Sequence, residues 1–83
     1  MKILVVGEED IFQQHLLKNT LEAIKELDCE CQLEVIEDIK EIMKLEEIGL
    51  IITPALIIDN HILCEGHIWD KEHIKHYIMK LMK

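Results

Sequence analysis

The chain has 83 residues, enough for one small domain, and its 49% apolar and 31% charged residues with only three glycines describe a globular protein, not a disordered one. Seventeen Asp and Glu against nine Lys and Arg leave a formal net charge of −8 with no basic cluster, which argues against nucleic acid and anionic membrane as partners. No apolar run approaches the roughly 18–20 residues of a membrane span, and the apolar start, Met1 to Val6, is too short for a signal h-region, so a soluble, cytoplasmic protein is expected.

Ile3, Leu4, Val5 and Val6 form a continuous apolar run with β-branched character, the pattern of a central strand covered on both faces, and Gly7 ends it. Asp10 then caps a helix over roughly residues 11–28, with Gln13 three residues later completing a capping box. Leu16, Leu17, Thr20, Leu21, Ile24 and Leu27 recur at helical spacing as its inner stripe. Cys31, Leu33 and Val35 alternate with Gln32 and Glu34, the period of a strand with one wet face, hence an edge strand. Asp38 and Glu41 repeat the capping-box pattern before a short helix whose apolar face is Ile39, Ile42 and Met43 and which stops at Gly49.

The only proline, Pro54, stands directly before Ala55, Leu56, Ile57 and Ile58, a second doubly buried run that ends in the turn pair Asp59 and Asn60. Proline is tolerated at the first residue of a strand, and the Thr53–Pro54 bond is expected to be cis. Ile62, Leu63, Cys64 and Glu65 make the returning hairpin strand, closed by Gly66. Asp70 caps a last helix in which Trp69 staples onto Ile74, with Ile74, Tyr77, Ile78 and Leu81 as its buried stripe. The order βαβαββα, with a right-handed crossover between the first two strands, predicts an α/β domain over residues 1–83. Its four-stranded mixed sheet runs second, first, third, fourth, with helices on both faces.

That order, with a proline opening the third strand, resembles the thioredoxin fold in its minimal glutaredoxin-like form. More narrowly, it resembles the small redox-active disulfide proteins, a glutaredoxin-like thioredoxin family. Gly49, Leu50, Ile51, Ile52, Thr53, Pro54, Ala55, Leu56, Ile57, Ile58, Asp59 and Asn60 follow that family's segment Gly-Val-x-x-Thr-Pro-Ala-Leu-Val-Ile-Asp-Gly almost position by position. The family carries Cys-x-x-Cys at the start of the first helix. Aligned on Gly7, those two positions fall on Asp10 and Gln13, with Ile11 and Phe12 between them, whereas the three cysteines stand at 29, 31 and 64. In such proteins the helix N-terminus lowers the thiol pKa and so makes the reactive thiolate. Asp10 meets the same backbone donors, but a carboxylate cannot exchange with a disulfide.

The resemblance therefore implies a degenerate, redox-inactive site at Asp10 and Gln13, with no catalytic residue and no cofactor. The expected function is non-catalytic binding of a protein or peptide, or of a second copy of the chain, through Phe12, Ile52, Thr53 and Pro54, by strand addition beside the proline. The carboxylates of Glu8, Glu9 and Asp10 disfavour an anionic ligand such as glutathione there. The alternative is a thiol-disulfide oxidoreductase using Cys29, Cys31 or Cys64, although Cys31 shares the inward phase of Leu33 and three cysteines without a secretion signal default to reduced thiols. A weaker alternative is a metal site drawn from Cys64, His67, His73 and His76, whose spacing matches no established zinc pattern.

Overall fold

In the computed structural model, which describes residues 1–28, 30–50 and 52–82, the first apolar run is a strand, β1 (Lys2–Val6), followed by a 17-residue helix, α1 (Ile11–Leu27). The chain continues through β2 (Gln32–Ile36), α2 (Ile39–Lys44) and a 3₁₀ turn (Leu45–Ile48). The hairpin β3 (Ala55–Ile58) and β4 (His61–Glu65) and the helix α3 (Lys71–Leu81) complete it. The sheet order is β2-β1-β3-β4, with β1 parallel to β2 and antiparallel to β3, and β3 antiparallel to β4. A parallel neighbour needs a crossover, and α1 supplies it. Asp59 and Asn60 make the two-residue hairpin turn with φ of 47° and 67°, the positive pair that lets the strands keep their twist. No described helix is long and apolar enough to cross a membrane.

β1 and β3 carry the core on both faces. On one side Ile3, Val5, Leu56 and Ile58 pack with Leu16 and Ala23 of α1 and Ile74 and Ile78 of α3. On the other, Leu4, Val6, Ala55 and Ile57 pack with Leu50, and Ile36, Ile42, Leu45 and Ile62 close over them. The α/β architecture with helices on both faces is therefore as expected, but several side chains sit elsewhere. The buried residues of α1 are Gln13, Leu16, Thr20 and Ala23, while Leu21 is exposed, because it lies about 100° around the helix from Thr20. Thr20 is tolerated there because its hydroxyl donates to Leu16 O at 2.8 Å.

In α2 only Ile42, and Leu45 one turn on, face the sheet; Ile39 and Met43 are exposed, since so short a helix presents one narrow stripe. Val35, predicted inward, is exposed on the outermost strand, and Ile36 contributes instead on the opposite face. At the end of α3, Leu81 is exposed where the helix runs past the core. In β4 the register slips by one residue between Leu56↔Cys64 and Ile57↔Ile62, a bulge that sends Cys64 to the face opposite Ile62.

Glu26 joins α1 to α3, with its carboxylate 2.6 Å from Lys71 Nζ and 3.1 Å from Lys75 Nζ. The hydrogen bond from Lys71, then that from Lys75, holds the Glu26 carboxyl below its ordinary value of 4.5, and Lys71 is raised in return. A depressed carboxyl stabilises the fold above its unfolded pKa and stops doing so as pH falls through the folded value. Wild type should therefore melt slightly above Glu26→Gln at pH 7, and thermal scans at decreasing pH should show that gap closing below pH 4.5. The group is exposed, so 0.5 M salt should narrow the gap at any pH.

Candidate functional site

Three chain segments meet at one end of the sheet, where β1 stops, α1 starts and β3 begins. Asp10 is the N-cap of α1, in extended conformation, and its carboxylate accepts from Gln13 N at 2.9 Å while Gln14 N donates to Asp10 O at 3.0 Å. The predicted capping box is only half made. Gln13 falls on the same inward stripe as Leu16 and Thr20, so its side chain cannot turn back to the Asp10 N–H. Instead it is 2% exposed, Nε2 donates to Val5 O at 3.1 Å, and Oε1 is buried with no hydrogen-bond partner among the described residues.

Gly7 fits between Gln13 and the proline. Its φ is +157°, and a Cβ there would stand 2.8 Å from Gln13 Oε1 and 3.3 Å from Pro54 Cα. Gly7→Ala must then push the amide or the proline turn outward, so urea unfolding should show a loss of about 1–3 kcal/mol. The Thr53–Pro54 peptide bond is cis, and Pro54 O accepts from Gly66 N at 2.8 Å, which fastens the proline turn to the end of β4.

Between these elements runs a groove of about 390 Å³ lined by Phe12, Thr53, Pro54, Gly66, His67 and Ile68. Phe12 is 58% exposed on its rim, and Ile52, 55% exposed, lies against Gly66 with its N–H 3.4 Å from a Glu65 carboxylate oxygen. Of the residues expected here, Phe12, Thr53 and Pro54 line one cavity, Ile52 adjoins it, Asp10 caps the helix behind Phe12, and Gln13 lies underneath. Sequence reasoning missed the far wall, residues 66–68. Its only signal is Gly66 at the end of β4, whose φ of +67° directs the chain back toward Phe12.

The two described thiols lie apart from this groove. Cys64 is buried on β4 opposite Leu56, and burial pushes its thiol up despite hydrogen bonds from the Leu56 and Trp69 backbone. Cys31 packs, half-buried, against the α1 side of the core and lines an open hollow with Met1, Lys2 and Asp59, at the opposite end of β1. Cys29 lies outside the described residues. The histidines do not gather around Cys64 either. His73 stacks on Trp69 at 4.3 Å and on Tyr77 at 5.8 Å, His76 stands edge-on to Tyr77, and His67 lines the groove. Among the described residues no three or more His, Cys, Asp or Glu are placed to hold a metal ion.

Comparison with known proteins adds two similarities. Residues 1–79 match the family model described as a thioredoxin domain. A protein named thioredoxin from Methanothermobacter thermautotrophicus is 36% identical over 75 residues, which span 90% of this chain and 94% of that one.

Proposed function

The chain belongs to the thioredoxin-domain family, and from that premise we propose that it is a binding module without a redox-active cysteine pair, holding a protein or peptide segment in the groove beside Pro54. The observation that carries this reading is the head of α1. There the N-cap position holds the Asp10 carboxylate, the inner position of the same turn holds the Gln13 amide, and residues 7–15 contain no sulfur. Phe12, Ile52, Thr53 and Pro54 then serve as contact surface: an exposed ring, an exposed aliphatic side chain and a turn against which an extended segment can lie.

Insulin reduction by dithiothreitol tests the reading. Turbidity should rise no faster with this chain than without it, beside a rapid rise with a thioredoxin that carries Cys-x-x-Cys as the positive control; a rate near that control's would end the proposal. The relative's name favours a second reading, thiol-disulfide exchange through Cys29, Cys31 or Cys64. It requires a thiol that alkylates rapidly near neutral pH, and the raised pKa of Cys64 runs against that for one of the three.

A further inference from the structure

We infer that the groove takes an extended peptide segment carrying lysine or arginine side chains beside an apolar residue; this rests on the binding reading above and specifies the partner's charge. The groove walls are apolar at Phe12, Pro54 and Ile68, which suits an aliphatic or aromatic side chain. Around them the charge is of one sign. Glu8, Glu9 and Asp10 lie on the loop that leads into Phe12, all exposed. Glu37 and Asp38 follow β2 at the same end, where Ile36 pairs with Val6 and its carbonyl accepts from Gly7 N at 2.9 Å. Glu65 stands beside Ile52.

No Lys or Arg occurs in residues 3–17 or 45–70, the segments that build both walls. Lys2 pairs with Glu34, and Lys71 and Lys75 pair with Glu26, while Lys40 follows Asp38 at the start of α2, where Glu37, Asp38 and Glu41 outnumber it. A cationic segment meets this run of carboxylates around an apolar groove. A second copy of a chain with net charge −8 would bring carboxylates against carboxylates.

The experiment is fluorescence anisotropy with three labelled nine-residue probes of alternating leucine and lysine, leucine and glutamine, or leucine and glutamate. Proteins are wild type, Glu8→Gln/Glu9→Gln and Phe12→Ala, all at exposed positions, with folding checked by circular dichroism. The lysine probe should bind wild type about tenfold more tightly than the glutamine probe. That preference should fall to about twofold in Glu8→Gln/Glu9→Gln and in 0.5 M salt, and Phe12→Ala should weaken the lysine and glutamine probes together. Equal binding of all three probes, weakened by Phe12→Ala, would overturn the charge inference and leave the groove reading standing. Binding of no probe, or binding indifferent to Phe12→Ala, would overturn both. A dimer by sedimentation that Phe12→Ala dissociates would also overturn the inference, because the occupant would then be a second copy.

Discussion

Asp10→Cys/Gln13→Cys should reduce insulin at least about tenfold faster than wild type. The two positions differ in the way such a reaction needs. Position 10 is exposed at the N-cap, while position 13 is 2% exposed one turn further on and points beneath it. Residues three apart in the first turn have Cβ atoms roughly 5–6 Å apart, close enough for a disulfide to close with modest adjustment. Without the Asp10 carboxylate, the backbone N–H of residue 13 is free to donate to a thiolate at position 10, and the positive end of a 17-residue helix favours that charge, which lowers the thiol pKa.

The thiolate at position 10 attacks an insulin disulfide and expels one insulin thiolate, forming a mixed disulfide. The thiol at position 13 then displaces the second insulin thiolate and closes the intramolecular disulfide, and dithiothreitol returns both sulfurs to thiols. Asp10→Cys alone should stop at the mixed disulfide, visible by mass spectrometry. The double variant loses the cap and the Gln13 bond to Val5 O, together about 1–3 kcal/mol, so folding is checked before the rate is read. A folded but inactive double variant would show that this end of the sheet is not a reaction site waiting for sulfur.

The fold was readable because two strands, at Ile3 and Ala55, are apolar without interruption, and only a sheet with helices on both faces can bury such strands twice. Asp10, Asp38 and Asp70 each cap where the polar-to-apolar boundary placed them. What could not be read is what tertiary contact decides. The spacing of Asp10 and Gln13 is the same whether the amide turns back to the cap or inward to Val5, and only the placement of α1 over β1 selects the second. Cys64 changes faces because of a bulge that no alternation pattern announces. Ile39 and Met43 look like a helix face in sequence, but the sheet reaches only Ile42 and Leu45. One wall of the groove was legible at Phe12 and Pro54; the other depends on the path after Gly66, held by the bond from its N–H to Pro54 O.

Gln13→Glu is the second large effect and a test of that buried amide. The side chains are isosteric, so packing is conserved and charge is what changes. At pH 7 an ionised carboxylate at position 13 would face the Val5 carbonyl with no donor and 2% exposure, a cost of about 2–4 kcal/mol in urea unfolding. Burial raises the introduced carboxyl's pKa in the folded state above its unfolded value of about 4.3. Below pH 4 the group is protonated in both states, and its hydroxyl replaces Nε2 as donor to Val5 O, so the variant should approach wild-type stability. As pH rises past 4.3 the unfolded chain ionises first, and stability relative to wild type should fall by up to about 1.4 kcal/mol per pH unit until the folded pKa is reached. Gln13→Leu separates burial from charge. It loses the bond to Val5 O but also removes the unpartnered Oε1, so its cost should stay near 1 kcal/mol and be independent of pH. A Gln13→Glu variant equally stable at pH 4 and pH 7 would mean that water reaches position 13, and the groove floor beneath Pro54 would then be open.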